Sequence, residues 1–349
     1  MKNNNDKIIV YVFFIILFTF LLLLGVSRGG KFSPVENRNT MTRPDFSVGS
    51  LLDGEYVASL DKFYADNLPF KETFAKIKAV CELSMCKLES NGIIVLDRLI
   101  EKAELSDSEF EKSADALEKF KSVASDNGIT VNAFIIPQSG EIKGEGLILY
   151  KNRDKKEKIS TLSLTPDMYF RTDHHLNGDG AWQVYSEIAE ALSSPVREKG
   201  SYLLSDSFLG RSYYTSALPV YPSEKIYTKS NDLSVKTYID GNFAFDGFID
   251  YGYIGTADEY SAFFGSNHAE CYSVGDESKE TVLVIKDSYA LAVCPYLLDS
   301  FNVAMVDARY AKRGLSYYID KYKCKRVIIL CGREHFESRA LRSLLSEYS

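Results

Sequence analysis

Concentrated positive charge is the first thing this sequence lacks. Its 349 residues carry 41 Lys and Arg against 48 Asp and Glu, a net charge of −7. A phosphate backbone is held by a clustered basic surface, so nucleic acid is excluded as a partner. Tryptophan occurs once and histidine four times, two of the histidines being adjacent. The six cysteines (Cys81, Cys86, Cys271, Cys294, Cys324 and Cys331) form no CxxC pair and match no zinc spacing, which excludes a structural zinc module. All six read as small core residues. There is no glycine-rich phosphate loop, no internal repeat and no low-complexity tract. Apolar side chains, by contrast, are abundant: 45% of the residues, with 23 Tyr and 21 Phe. That supports a large core and excludes wholesale disorder.

Residues Ile8–Val26 run IIVYVFFIILFTFLLLLGV, with Thr19 the one polar side chain. At about 1.5 Å per residue this reaches roughly 28 Å, enough to cross a bilayer core. A cleaved signal peptide has a shorter apolar region of about 7–15 residues, so the run reads as a retained signal anchor. Lys2 and Lys7 precede it and Arg28, Lys31 and Arg38 follow, leaving charge bias nearly silent on orientation. The tail before the span is short, which favours export of the long C-terminal part. The expectation is a cytoplasmic tail over 1–7, a transmembrane anchor over 8–26, a polar linker over 27–45 and an extracytoplasmic domain over 46–349 at the cell membrane.

Beyond the linker, Leu52, Tyr56, Leu60, Phe63 and Tyr64 share one helical face, and Pro69 breaks that helix before FKETFAKIKAVCELSM restarts it. A short strand at Gly92–Leu96 and a helix opened by the Ser106/Glu109 capping box follow, then the buried strand ITVNAFIIP. A helix begins near Asp179, and residues 200–275, rich in Tyr, Thr, Gly and Asp, read as a β-rich insertion of hairpins. The last third alternates TVLVI, SYALAVCPYLLDS, NVAMV, GLSYYIDKY and RVIIL. Such βαβαβ order predicts an α/β domain with a doubly wound parallel sheet.

Ser288 follows TVLVI in VIKDSYALA and opens the next helix. It thus stands at the C-terminal edge of the predicted sheet, where open α/β proteins place their sites and helix N–H groups stabilise an oxyanion. An ordinary N-cap is the plainer use of Asp-Ser there. In RTDHHLNGDGAW, an extended backbone puts Asp173 and His175 on one side and His174 on the other. A carboxylate beside an imidazole fits a serine triad. It fits equally a satisfied buried pair, and less readily a metal site, which would need His268 or His335 as a further ligand.

ENR (Glu36–Arg38), DKFYADNLPFK (Asp61–Lys71), TDHHLNGDGA, IKDSYA and VDARY stand in an order that resembles the DHHW proteins. These are close to the alginate O-acetyltransferase branch of the SGNH-hydrolase superfamily. The likeness runs over nearly all of the chain beyond the apolar run. It implies an SGNH-hydrolase-like fold with circularly permuted motif order, in which the Asp-x-His pair precedes the serine. Carried over residue by residue, Asp173 orients, His175 is the general base and Ser288 the nucleophile. Leu176 stands where the family has Trp, and the usual SGNH Gly and Asn blocks are not evident; Arg309 in VDARY, or Asn267, is the candidate oxyanion ligand. The resemblance implies transfer of acetyl to an exported or cell-wall polysaccharide, fed by a membrane-bound O-acyltransferase partner, without cofactor or metal. A carbohydrate acetyl esterase using the same triad, and a non-catalytic glycan-binding scaffold, are the other uses of such a site.

Overall fold

The computed structural model describes residues 2–36, 38–102, 105–143, 146–147 and 162–348. These divide into two compact units, one of residues 1–91 with 214–220 and the other of 92–213 with 221–349. Asn37 of the ENR motif lies outside the described residues.

In the first unit, helix α1 (Lys2–Val26) contains one stretch, Lys7–Val26, long and apolar enough to cross a membrane. Helices α2 (Glu55–Asp66) and α3 (Lys71–Ser84) follow. The single helical face expected from Leu52 to Tyr64 is interrupted: Gly54 adopts φ 83°, ending a short first turn, and Leu52 is left exposed. The segment between α1 and α2 is pinned by charge. Asp66 is buried and accepts hydrogen bonds from the Arg38 guanidinium (2.9 Å) and the Met41 N–H (2.5 Å). Lys71 pairs with Glu36, which also pairs with Arg38. The hydrogen bond from Arg38, with the Met41 N–H behind it, outweighs burial and holds the Asp66 carboxyl down at about 2. Glu36, Arg38, Asp66 and Lys71, four residues of the ENR and DKFYADNLPFK motifs, are thus one ionic cluster.

The second unit carries helix α4 (Asp107–Asp126), strand β1 (Thr130–Ile136), helix α5 (Gly178–Ala191), the pair β2 (Tyr202–Phe208) and β3 (Glu224–Thr228), the hairpin β4 (Lys236–Ile239) and β5 (Asn242–Asp246), and β6 (Glu270–Val274). It closes with β7 (Thr281–Lys286), β8 (Asn302–Asp307), helix α6 (Leu315–Tyr322), β9 (Arg326–Gly332) and helix α7 (Arg339–Ser346). Seven strands form one sheet in the order β5-β4-β6-β8-β7-β9-β1. The pairs β8-β7, β7-β9 and β9-β1 are parallel, with Met305, Val284, Ile328 and Asn132 in register. The sheet is mixed rather than wholly parallel. Strands β4, β5 and β6, from the stretch expected to be a β-rich insertion of hairpins, continue it antiparallel beyond β8.

Alternation along the central strands builds a core on each face. Val282, Val284, Met305, Ile328 and Leu330 pack with Val184 and Ile188 of α5. Leu283, Ile285, Val306, Val327 and Ile329 pack with Phe120 of α4, Ile319 of α6 and Leu345 of α7. The helix expected over SYALAVCPYLLDS is instead a 3₁₀ turn, Ser288–Ala290, and a separate short helix, Cys294–Leu297, with Pro295 in its first turn. Cys271, Cys294, Cys324 and Cys331 are core residues as expected, whereas Cys81 and Cys86 are exposed.

Candidate active site

The carboxyl ends of all four parallel strands deliver a residue to one cavity of about 230 Å³. Gln138 follows β1, Ser288 follows β7, Arg309 follows β8 and His335 follows β9; His174 and Glu101 complete this part of the wall. Open α/β sheets place ligands outside the carboxyl ends of their strands.

Ser288 is half-buried and begins the turn after β7. Asp287 fixes that turn: one carboxylate oxygen accepts the Tyr289 N–H (3.0 Å) and the other the Gly332 N–H at the end of β9 (2.8 Å). Asp287 thereby ties together the ends of the two central strands beside the serine.

The DHH segment is a tight reversal rather than an extended strand, because Tyr169 and Leu176 bridge antiparallel and the Phe170 N–H bonds the His175 carbonyl (3.1 Å). Both imidazoles consequently approach Asp173. Asp173 Oδ1 accepts the His175 N–H (2.9 Å) and faces His175 Nδ1 at 2.6 Å; Oδ2 accepts the Arg211 N–H (2.6 Å). His174 Nδ1 faces Glu101 Oε1 at 3.1 Å, and Glu101 also accepts the Ser212 hydroxyl (2.9 Å). Potential ligand atoms of Asp173, His174 and His175 lie within 4.8 Å of one another, as a metal site would have them. Here both carboxylate oxygens and both Nδ1 atoms are engaged in hydrogen bonds, and neither His268 nor His335 joins the group. The donor set fits a hydrogen-bonded relay better than an ion.

The electrostatics separate the two imidazoles. Burial disfavours charge on His174, but the carboxylates of Asp173 and Glu101 outweigh it and lift its pKa to about 9. Burial, reinforced by the His174 cation, lowers the pKa of His175 against the pull of Asp173. Burial also opposes charge on Asp173, yet the two imidazoles and the Arg211 N–H hold its carboxyl well below the usual range. His175 is therefore neutral near pH 7, its Nδ1–H turned to Asp173 and its lone pair on Nε2. That Nε2 is buried and has no hydrogen-bond partner among the described residues.

Tyr260 links this base to the serine. Its ring stacks on His175 at 3.8 Å and 6°, and its hydroxyl donates to the Ser288 carbonyl (3.2 Å). Tyr289 sets its ring edge-on to both histidines, at 5.4 and 5.7 Å. No hydrogen bond joins Ser288 Oγ to His175 Nε2, a contact that tightens in many enzymes only when substrate binds.

Of the other residues singled out in the sequence, Arg309 reaches the cavity with its guanidinium held by buried Asp307 (2.9 and 2.6 Å). Asn267 instead accepts the ammonium of fully buried Lys286 (2.5 Å). His335 lines the cavity with a buried, unpartnered Nε2, and burial lowers its pKa. Leu176, in the place of the family's Trp, is fully buried.

Sequence reasoning missed Tyr260, Glu101, Gly210 and Glu224. Gly210 lies so close to Asp173 that an added Cβ would sit 2.2 Å from its Cβ. Glu224 clamps the DHH turn by accepting the N–H groups of Arg171 (2.8 Å) and Thr172 (2.7 Å). All four lie far from the motif in sequence or sit in ordinary-looking segments, so no local pattern marks them.

The class so defined is an α/β protein with an Asp–His pair at the carboxyl edge of its sheet. No family profile matches the chain, and no curated protein does. Among solved structures, a DHHW family protein from Eubacterium siraeum shares its fold at TM-score 0.57 and 18% identity, over 73% of this chain and 95% of that one. Bacillus cereus PatB1 carrying a sulfonyl adduct matches at TM-score 0.56 and 19% identity, over 71% of this chain and 97% of that one. A second structure of Bacillus cereus PatB1 matches at TM-score 0.52 and 18% identity, over 71% of this chain and 99% of that one.

Proposed function

We propose that this protein is an extracytoplasmic O-acetyltransferase, anchored by α1, that moves acetyl through Ser288 onto hydroxyls of an exported or cell-wall polysaccharide. The observation that carries the reading is the neutral His175. It is oriented by Asp173, free at Nε2, and stacked on the same tyrosine that holds the Ser288 backbone. The Asp-x-His pair precedes the serine in the chain, as in the permuted SGNH order that the motifs resemble.

In the first half-reaction, Ser288 Oγ attacks the carbonyl carbon of an acetyl donor while His175 Nε2 takes the hydroxyl proton. Charge developing on the carbonyl oxygen meets a cavity that presents two cations, the His174 imidazolium and the Arg309 guanidinium. Collapse expels the donor's leaving group, which takes the proton from His175 and leaves acetyl-Ser288. In the second half, a sugar hydroxyl gives its proton to His175 and attacks the acetyl carbon. Ser288 Oγ leaves with that proton and the acetate ester of the sugar is released. Asp173 stays ionised throughout and stabilises the imidazolium. The donor is handed over by a membrane-bound O-acyltransferase partner, because acetyl-CoA is cytoplasmic.

The test is intact-mass analysis after incubation with 4-nitrophenyl acetate, and separately with a sulfonyl fluoride, the kind of reagent suggested by the PatB1 adduct. One acetyl or sulfonyl group on Ser288, absent from Ser288→Ala and His175→Ala, is expected. Transfer of acetyl to a glucan or peptidoglycan oligomer marks a transferase, whereas release of acetate to water alone marks an esterase. A folded protein without any adduct would sink the catalytic reading and leave the scaffold.

A further inference from the structure

The chemistry makes no use of the apolar surface of the first unit. Phe70, at the start of α3, and Phe74 and Ile77 within it are 60%, 47% and 54% exposed. Their spacing of four and three residues puts them in one stripe. A contiguous exposed stripe of large side chains needs something to cover it.

Depth identifies the cover. The ring of Phe20, inside the apolar helix, packs against Phe70 at 6.1 Å and against Phe74 at 6.3 Å between centroids. Phe20 stands six residues before Val26, the end of α1, which at 1.5 Å per residue is about 9 Å inside the apolar run. Side chains of α3 that touch Phe20 therefore lie below the level where the chain turns polar at Ser27 and Arg28. Phe20 and Leu24 are the half-buried side chains of the span among those described, while the rest of it is exposed. The approach of α3 is fixed as well: Lys71, its first residue, belongs to the ionic cluster that holds the segment leaving α1. Lys71 and Lys78 stand beside the stripe, their ammonium groups held by Glu36 and by Asn91 (2.9 Å) and their stems left against its edge.

We propose that α3 is an interfacial helix whose Phe70–Phe74–Ile77 stripe is immersed in the acyl-chain boundary of the leaflet at the C-terminal end of α1, with lipid as its occupant. The proposal rests on α1 crossing the bilayer. Immersion to about this depth is what an amphipathic helix with aromatic and basic residues achieves at a membrane surface.

The test uses the full chain in phosphatidylcholine–phosphatidylglycerol vesicles whose acyl chains carry bromine, a contact quencher of tryptophan. The native Trp182 is replaced (Trp182→Phe), and a single new tryptophan is introduced as Phe20→Trp or Phe74→Trp. Quenching at position 74 about as strong as at position 20, with blue-shifted emission at both, is the expected result. Quenching at 20 with none at 74 would overturn the proposal while leaving the span intact, and would mean that the stripe lies outside lipid or beneath another protein. Absence of quenching at 20 would remove the span itself, and the proposal with it.

Discussion

The imidazole rings of His174 and His175 lie 3.9 Å apart and are held in opposite protonation states. Glu101 and Asp173 keep the first charged to about pH 9, and that charge, together with burial, keeps the second neutral. One adjacent pair thus offers the proposed chemistry a fixed positive charge and a neutral imidazole.

The rate of Ser288 acylation should therefore rise as pH climbs through the lowered pKa of His175, below its ordinary 6.5, and change again near pH 9 where His174 discharges. His174→Gln removes the repelling cation, so His175 keeps its proton to higher pH and the acid limb moves upward. Single-turnover acylation across pH reads both effects; an unshifted acid limb in the variant would show that the rings are not coupled.

Asp173→Asn preserves shape but removes the charge that holds the His175 tautomer. Acylation should fall by on the order of 10³–10⁴-fold with the fold retained. A loss below tenfold would take Asp173 out of the role assigned to it.

Gly210→Ala drives a methyl group to 2.5 Å from Asp173 Oδ2 and 2.2 Å from its Cβ. Displacing Asp173 should cost about 1–3 kcal/mol of stability and lower acylation by about 10²-fold through misplacement of the base. Thermal unfolding and adduct formation measure the two losses, and wild-type behaviour in both would contradict the packing described.

Tyr260 offers two separable deletions. Tyr260→Phe keeps the stack on His175 and loses the hydroxyl's hydrogen bonds, to the Ser288 carbonyl and from the Ala292 backbone, each worth about 0.5–1.5 kcal/mol. Tyr260→Ala removes the stack as well and leaves a buried cavity, costing about 3–5 kcal/mol by analogy with other large aromatic truncations. Acylation rates should follow the order wild type, Phe, Ala; equal rates for Phe and Ala would mean that stacking does not position the base.

Asp66 makes the first unit sensitive to acid. Its carboxyl is depressed to about 2 from an ordinary 3.8, so its contribution is complete above 3.8 and is lost as pH falls through about 2. Hydrogen exchange of the Met41 amide, which donates to Asp66, should accelerate across that window. Asp66→Asn should abolish the acid step.

Much of this was legible in the chain because some segments carry their whole reason locally. TVLVI, NVAMV and RVIIL are buried on both faces, and such runs announce parallel strands. Ser288 could be placed at a strand's end, and Asp173 and His175 could be paired from their spacing of two, although a reversal rather than an extended strand brings them together. What was hidden depends on partners distant in sequence. The antiparallel extension by β6 requires knowing that Cys271 lies beside Met305, which no periodicity encodes. His174 read as facing away from Asp173 because the reversal closed by Tyr169 and Leu176 is a tertiary event. Tyr260 was one of 23 tyrosines, and only the stack sets it apart.

The strand order also governs when this protein comes into being as a working molecule. Ribosomes deliver Asp173 and His175 more than a hundred residues before Ser288. Strand β1, made earlier still, pairs among the described residues with β9 alone, and the Ser288 turn is latched through Asp287 to the amide of Gly332. A nascent or truncated chain that stops short of β9 therefore has the Asp173–His175 pair without the Asp287–Gly332 latch beside Ser288. Such non-local closure is slow relative to helix formation, and the arrangement that the proposed chemistry needs is complete only once β9 has been made.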